Sequence, residues 1–251
     1  FFGAVCDRTA RTGLLLGFLS QREHFGTLEA VLYDRPSLRL WANGDNARLD
    51  PGCCMETDWA VIYPFALDDP DPLGDYIQAV AREHGLKLTK EIPAGWCSWY
   101  HYFTNITPDD LRSNLQQLTH LRGRLPLDGF QIDDGFEAQV GDWFEFKPAF
   151  SAGVEPLARE IKAAGFQPGL WLAPFILHPG AKIIREHPEW LLRDMRGRLV
   201  NCGFGWNAIT RALDLTVPEA LEYACRAVST AAHEWGYSYL KLDFLYAAAV
   251  K

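Results

Sequence analysis

The sequence lacks the features that would direct it to a membrane or to nucleic acid. Its 251 residues contain no apolar run near the roughly 18 residues that a membrane-spanning helix needs. No block of like charge occurs, and the net charge of −8 disfavours nucleic acid and anionic membranes as partners. We therefore expect neither partner, and a neutral or cationic ligand is easier to accommodate.

Cysteine is sparse and forms no metal-binding pattern. The six cysteines are Cys6, Cys53, Cys54, Cys97, Cys202 and Cys225. They show neither a CxxC pair nor a Cys/His ligand spacing, so we predict free thiols, no metal site and a reducing, cytoplasmic compartment. The chain also lacks an initiator methionine and the charged n-region of a signal peptide, and we expect it to begin inside a longer protein.

What the sequence does contain is ordinary globular material that is rich in aromatic residues. With 48% hydrophobic and 22% charged residues, the chain can bury a sizeable core. Nine tryptophans and an aromatic fraction of 13% fit a sugar site, because aromatic rings often serve there as platforms. Aromatic rings also fill cores, so composition alone does not decide between the two uses.

The first 70 residues have the pattern of β-structure. Short apolar or alternating runs occur at 13–20, 27–33, 37–41 and 59–63, and turn residues at 34–36 and 43–46 separate them. We predict that residues 1–70 are the C-terminal part of a β-sandwich domain. Apolar residues from Leu73 onward then follow helical spacing until Gly85, so residues 71–92 are predicted as a linker helix.

From Pro93 onward, strand-like runs alternate with helical segments. We predict strands at 94–100, 128–135, 166–174, 212–216 and 237–246. This alternation is typical of a parallel α/β array, either a doubly wound sheet or a (β/α)₈ barrel. No GxGxxG turn follows the first strand, and carboxylates recur at strand ends, which favours the barrel. The predicted fold over 93–251 is therefore a partial (β/α)₈ TIM barrel of about five βα units, three short of closure.

The strongest chemical signal lies in the last predicted strand. Tyr239, Lys241 and Asp243 alternate onto one face, which places a cation and a carboxylate at the carboxyl end of the strand. Ligands of parallel α/β enzymes bind at such ends. The alternative interpretation is a Lys–Asp ion pair that supports the fold alone.

A second acidic signal ends the strand at 128–135. Asp133 and Asp134 are adjacent carboxylates, which repel each other unless solvent or donors such as sugar hydroxyls engage them. The alternative is a turn, because Asp134-Gly135 is a turn signal. Glu137 and Asp142 follow closely, and we assign neither a catalytic role.

Several aromatic and glycine-rich features allow two interpretations. Trp171, in the third strand between small residues, either presents its ring to a ligand or fills the barrel. Trp96 and Trp99, on opposite faces of the first strand, allow the same two roles. The segment 201–207, with the sequence NCGFGWN, is either a ligand-contact loop or a bend.

Four motifs together resemble a known family. Gly95-Trp-Cys-Ser-Trp99, Gln131-Ile-Asp-Asp-Gly135, Gly169-Leu-Trp-Leu-Ala-Pro174 and Lys241-Leu-Asp243 occur in the order and spacing of glycoside hydrolase family 36. This is the α-galactosidase and raffinose-synthase group. The resemblance covers about residues 94–246, and residues 1–70 are similar to the end of that family's N-terminal β-sandwich.

The resemblance implies a role for each matching residue. Asp243 matches the catalytic nucleophile of a retaining mechanism, and Lys241 matches a contact to a substrate hydroxyl. Asp133 and Asp134 match an acidic pair that binds the galactose 4- and 6-hydroxyls. The remaining candidate substrate-binding residues are Trp171 as an aromatic wall, Trp96, and Cys202 and Gly203 in a loop that reads the C2 substituent.

The implied activity is hydrolysis of terminal α-galactosyl residues from oligosaccharides, without a metal or organic cofactor. The family's acid/base aspartate comes from a later strand, beyond residue 251. Ala173-Pro174 stands where some bacterial relatives have an acidic residue, and Trp96-Cys-Ser-Trp99 is closer to plant-like branches. A raffinose-synthase-type galactosyltransferase, an α-N-acetylgalactosaminidase and a non-catalytic sugar-binding protein therefore remain alternatives, and homo-oligomerisation is left open.

Overall fold

The computed structural model describes residues 2–44, 47–86 and 93–250. The chain divides into two compact units, Phe1–Glu91 and Ile92–Lys251. The end of the predicted linker at 87–92 lies outside the described residues, as do positions 45 and 46 of the predicted turn. Within the described ranges, none of the helices combines the length and apolar character that crossing a membrane requires.

The described residues of the first unit form two antiparallel sheets and one helix. Strands β1 (Phe2–Asp7), β2 (Thr12–Phe18) and β5 (Ala60–Ala66) form one sheet in the order β1-β2-β5, and β3 (Phe25–Val31) pairs with β4 (Ser37–Asn43). The four predicted strands are confirmed, and β1 adds a fifth that the sequence pattern did not indicate. The assignment of residues 1–70 to a β-sandwich stays a prediction.

Contacts with Phe18 explain why position 26 is a glycine and how helix α1 is attached to this unit. A Cβ atom on Gly26 would overlap the ring of Phe18, so β3 tolerates only glycine at this contact. Helix α1 (Gly74–Glu83) occupies the first part of the predicted 71–92 segment and ends before Gly85, whose φ of +63° terminates it. The hydroxyl of Tyr76 donates a hydrogen bond of 2.7 Å to the carbonyl of Phe18.

The second unit is built on a parallel sheet of four strands. Its strands are β6 (Gly95–Cys97), β7 (Gly129–Ile132), β8 (Gln167–Leu172) and β13 (Tyr239–Leu242), in the spatial order β6-β7-β8-β13. All three pairings are parallel. Because these strands run in the same direction, their carboxyl ends meet at one edge of the sheet.

The prediction of five strands is wrong in one place. The predicted strand at 212–216 does not join the parallel sheet; β12 (Arg211–Ala212) instead pairs antiparallel with β9 (Ile176–Leu177). The next residues turn, because the Asp214 carboxylate accepts hydrogen bonds from the backbone and hydroxyl of Thr216. The described part of the second unit therefore contains four parallel strands, and β13 pairs directly with β8.

Helices alternate with these strands as expected. They are α2 (Trp99–Tyr102), α3 (Pro108–Leu121), α4 (Glu155–Ala163), α5 (Lys182–Glu186) and α6 (Pro218–Ser229), which continues as a π-helical turn at Thr230–Glu234. Thr107 and Asp110 form the predicted helix start of α3 as a reciprocal capping box. Gly165, with φ of +85°, ends the α4 turn as the sequence predicted.

Candidate active site

A cavity lies at the carboxyl ends of β7, β8 and β13. Its volume is about 630 Å³. The charged residues that line it are Asp133, Asp134, Lys241 and Asp243. Aromatic rings form much of the remaining wall, from Trp99, Phe103, Trp171, Phe204, Trp206 and Phe244. The fold thus brings together both of the acidic signals that are far apart in the sequence.

Asp133 is buried, and three side-chain donors converge on one of its two carboxylate oxygens. One of its carboxylate oxygens, Oδ2, accepts hydrogen bonds from Lys241 Nζ at 2.9 Å, from Gln131 Nε2 at 2.6 Å and from Cys97 Sγ at 3.4 Å. These donors converge because Cys97 is in register with Gln131 in the parallel pairing of β6 and β7. The backbone N–H of Asp133 donates to Ser98 Oγ at 2.9 Å, which fixes the end of the strand.

Lys241 lies between the two acidic strand ends. Its Nζ atom is 2.9 Å from Asp133 Oδ2 and 3.8 Å from Asp243 Oδ2. Partial burial alone would lower the pKa of Lys241, but the hydrogen bond and charge of Asp133 and the charge of Asp243 raise it above its ordinary value. Lys241 is therefore a cation that both aspartates share.

Asp243 is the more accessible carboxylate. Its side chain is 41% exposed, compared with 2% for that of Asp133. Trp171 Nε1 donates to Asp243 Oδ2 at 3.1 Å, and the backbone N–H of Phe244 donates to Oδ1 at 2.9 Å. Phe244 has a left-handed backbone with φ of +51°, an uncommon conformation for a bulky residue that ends the strand and turns this N–H toward the carboxylate.

Asp134 is held by a tryptophan that sequence reasoning did not single out. Trp206 Nε1 donates to Asp134 Oδ2 at 2.6 Å. Trp206 lies in a hairpin between β10 (Phe204–Gly205) and β11 (Ala208–Ile209), whose two turn residues have φ of +48° and +58°. Two positive φ values are typical of a type I′ turn, where tryptophan is unusual. The only sequence signal was the alternative of a ligand-contact loop at 201–207.

Trp96, which the sequence predicts as a substrate-binding residue, does not line the cavity. Its ring stacks on Phe130, with ring centroids 4.3 Å apart, and packs against the hydrophobic core. The parallel register pairs Trp96 with Phe130, so both side chains leave the sheet on the same side, opposite to Cys97. Trp99, at the start of α2, lines the cavity instead.

Cys202 and Gly203 also lie outside the lining of the cavity. Cys202 is 1% exposed, and burial raises the pKa of its thiol. Its carbonyl accepts a hydrogen bond from the hydroxyl of Tyr246 at 2.9 Å, and the carbonyl of Gly203 accepts one from the backbone of Thr210 at the same distance. These two residues anchor the base of the hairpin, and its tip reaches the cavity.

The two acidic residues without an assigned role occupy different positions. Asp142 accepts hydrogen bonds from the backbone N–H groups of Lys182 and Ile183, so it caps α5. Glu137 is 2% exposed and faces Asp134. Burial raises the pKa of Glu137 well above its ordinary value, and the hydrogen bond with Asp134 and the charge of Asp134 raise it further.

Across the described ranges, no group of three His, Cys, Asp or Glu side chains is arranged to hold a metal ion.

The sequence of the second unit matches a known family. Residues 97–247 match the melibiase family. The chain belongs to the melibiase family. The match includes Asp133, Asp134, Trp171 and the Lys241-Leu-Asp243 motif, so it confirms the resemblance drawn from the sequence.

Two curated α-galactosidases are similar to most of the chain. An α-galactosidase of Escherichia coli is 27% identical over 213 residues, which cover 81% of this chain and 28% of the relative. α-Galactosidase C of Emericella nidulans is 26% identical over 246 residues, covering 87% of this chain and 30% of the relative. The chain therefore spans less than a third of the length of these two relatives.

Two solved α-galactosidase structures are similar in fold to this chain. The α-galactosidase TtGalA from Thermus thermophilus, in complex with p-nitrophenyl α-D-galactopyranoside, superposes with a TM-score of 0.74 and 32% identity. That match covers 99% of this chain and 46% of TtGalA. The GH36 α-galactosidase AgaB from Geobacillus stearothermophilus superposes with a TM-score of 0.67 at 19% identity, covering 96% of this chain and 34% of AgaB.

Proposed function

We propose that this chain forms the sugar-binding and nucleophile-bearing part of a retaining α-galactoside hydrolase. The observation that carries the proposal is the position of Asp243, a half-exposed carboxylate that opens into the cavity beside Lys241 and Trp171. The four consecutive parallel strands support a second proposal, that residues 93–251 are the first half of a (β/α)₈ barrel.

In this mechanism Asp243 attacks the anomeric carbon of a terminal α-galactosyl residue. The bond to the leaving oxygen breaks, and an acid from a later strand, outside residues 1–251, protonates that oxygen. Water, deprotonated by the same group, then attacks the galactosyl–Asp243 ester and releases galactose with its configuration retained. The two fixed donors to Asp243 aim its carboxylate before the substrate arrives.

The same geometry supports roles for the neighbouring residues. Asp133 and Asp134 would accept hydrogen bonds from galactose hydroxyls, and Lys241 would donate to one. The aromatic wall offers apolar surface for the sugar ring. TtGalA has been captured with stachyose as well as with the nitrophenyl galactoside, which supports α-galactoside oligosaccharides as the substrate class here.

The test is hydrolysis of p-nitrophenyl α-galactoside by the protein that carries this sequence. Asp243→Ala should lower kcat by a factor on the order of 10⁴ or more, as expected on loss of a nucleophile, without altering thermal unfolding. Added azide should restore turnover and yield β-galactosyl azide, because the small anion enters where the carboxylate was removed. Asp109→Ala, on the exposed first turn of α3, is the matched control and should leave kcat unchanged.

Two outcomes would overturn the proposal. The first is full activity in Asp243→Ala, and the second is a folded wild-type protein that hydrolyses no α-galactoside. Parallel assays with the aryl α-N-acetylgalactosaminide decide the C2 preference. Product analysis in excess sucrose decides between water and a sugar as the acceptor, since transfer would yield a trisaccharide instead of free galactose.

A further inference from the structure

Glu137 is a buried acidic residue that the proposed mechanism does not use. It is 2% exposed and lies on the segment after β7, where its backbone forms an antiparallel bridge with Phe146. Its Oε2 atom accepts a hydrogen bond of 3.3 Å from the backbone N–H of Gly135. Glu137 does not line the cavity itself, and its side chain lies against Asp134, which does.

The side chains of Glu137 and Asp134 are hydrogen-bonded to each other. Two carboxyl groups can share a hydrogen bond only when one of them carries a proton, because an ionised carboxylate is an acceptor alone. Trp206 Nε1 donates to Asp134 Oδ2 at 2.6 Å, whereas the backbone N–H of Gly135 donates to Glu137 Oε2 at 3.3 Å, so the shorter and stronger bond is accepted by Asp134. The shared proton therefore belongs on Glu137.

We propose that Glu137 is a positioning residue that carries a proton at neutral pH and donates a hydrogen bond to Asp134, holding that carboxylate toward the cavity. Asp134 would thus be fixed from two sides, by the indole N–H of Trp206 and by the carboxylic acid of Glu137. The part of the proposal that concerns substrate rests on the proposed function, since it takes Asp134 as the acceptor of a galactose hydroxyl.

The surrounding charges support a protonated Glu137. Asp133, beside Asp134, is paired with Lys241. On the segment that bridges to Glu137, Glu145 pairs with Lys182 at 2.9 Å, and Lys147 Nζ donates to the carbonyl of Thr104. Among the residues that the structure describes, no salt bridge joins a cation to Asp134 or Glu137. Burial raises the pKa of Glu137 well above its ordinary value, as expected for an acid without a compensating cation.

Loss of this proton would weaken binding and leave the nucleophile untouched. At alkaline pH two adjacent carboxylates would replace one hydrogen-bonded pair, and their repulsion would turn Asp134 away from the sugar. We therefore expect KM for an α-galactoside to rise at alkaline pH, with little change in kcat, because Asp243 does not contact Glu137.

The experiment compares Glu137→Gln, Glu137→Ala and wild type in the protein that carries this sequence. KM and kcat for p-nitrophenyl α-galactoside are measured from about pH 5 to about pH 10. Glu137→Gln retains a donor and cannot ionise, so its KM should lie within about twofold of wild type at neutral pH and show no alkaline rise. Glu137→Ala should raise KM about tenfold at every pH, the loss expected for one hydrogen bond to a charged group.

Glu145→Gln is the matched control, because it makes the same chemical change on the adjoining segment at an exposed side chain. It should retain the wild-type pH profile of KM. The proposal is overturned if the alkaline rise in KM persists in Glu137→Gln, or if Glu137→Ala binds the substrate as tightly as wild type.

A measurement that needs no substrate separates this proposal from the proposed function. A folded state that keeps the Glu137 proton binds more protons than the unfolded state, so its stability falls as pH rises above the ordinary pKa range of glutamate. Wild type should therefore lose stability with rising pH relative to Glu137→Gln in urea unfolding, and parallel profiles would refute the assigned proton. This measurement shows whether Glu137 is protonated in the folded protein, even if wild type hydrolyses no galactoside.

Discussion

An aspartate follows the carboxyl end of both β7 and β13, but the first is buried and the second is exposed to the cavity. Asp133, one residue after β7, has one carboxylate oxygen that accepts three side-chain donors, and its side chain is 2% exposed. Asp243, one residue after β13, has a side chain that is 41% exposed and accepts one side-chain and one backbone donor. Lys241 is the nearest cation to both aspartates, so its charge does not explain why they differ.

The neighbours of the two strands explain the difference. β7 lies between β6 and β8; the Cys97 thiol at the end of β6 donates to Asp133, and the Ser98 hydroxyl that follows accepts the backbone N–H of Asp133. Within the described ranges, β13 has β8 as its one strand neighbour, and the open side of Asp243 faces the cavity. A carboxylate that three donors hold in one position suits recognition, whereas a carboxylate with an exposed oxygen can form a new covalent bond.

Replacing each aspartate by asparagine should give the largest contrast. Asp243→Asn should lower kcat by a factor on the order of 10⁴ or more and change the free energy of unfolding by less than about 0.5 kcal/mol. Asp133→Asn should lower the free energy of unfolding by about 1–3 kcal/mol, because the neutral amide removes the charge that pairs with Lys241 and brings its own N–H donors among the buried donors. Urea unfolding and steady-state kinetics measure both, and equal destabilisation by the two changes would contradict the contrast.

Removing the shared cation should have an intermediate effect. Lys241→Met keeps the length of the side chain but leaves the buried Asp133 carboxylate with two neutral donors, Gln131 and Cys97. We expect kcat/KM to fall about 100-fold, equivalent to about 3 kcal/mol, since both aspartates lose their common partner.

A thiol probe sharpens the same comparison. Burial, together with the hydrogen bond and charge of Asp133, raises the pKa of Cys97 to about 11, and the charge of Lys241 opposes this rise. Lys241→Met should therefore slow alkylation of Cys97 by iodoacetamide, and Asp133→Asn should accelerate it. Mass spectrometry of the Cys97 peptide measures the rate, and the same direction of change in both variants would refute the assigned charges.

The sequence predicted the strands and the acidic strand ends because both depend on local pattern. Alternation placed Lys241 and Asp243 on one face, and the helix starting at Thr107 followed from its capping residues. The prediction of a strand at 212–216 was wrong because the alternating pattern of five residues is too short to distinguish a sheet strand from a turn. Its Asp214–Thr216 turn appears only with the hydrogen bonds of the folded chain.

Contacts between distant segments could not be read from alternation alone. Alternation predicted that Trp96 and Trp99 lie on opposite faces of the first strand. The pairing of Trp96 with Phe130 on the neighbouring strand determines which of these faces packs against the core. Trp206 lies 72 residues after Asp134, and only the tertiary fold brings its indole N–H to that carboxylate. The pairing of Glu137 with Asp134 likewise depends on burial, which the sequence does not reveal.

The hairpin that supports Asp134 offers the smallest and most specific test. Trp206 occupies a turn position with φ of +48°, where asparagine and glycine are favoured and other residues are strained by about 1 kcal/mol or more. Trp206→Asn and Trp206→Ala both remove the ring. The difference in their free energies of unfolding therefore reports the cost of the positive φ at this position. Asn should be more stable than Ala by about 0.5–1 kcal/mol in urea unfolding.

Activity of a third variant at this position isolates the indole N–H. Trp206→Phe keeps an aromatic ring beside Trp171 and Phe244 but removes the donor to Asp134. KM should rise about fivefold to tenfold, with kcat nearly unchanged, because the hydrogen bond acts on Asp134 and not on Asp243. A fall in kcat with constant KM would instead place Trp206 on the nucleophile's side of the cavity, and the division between a recognising and a reacting strand end would fail.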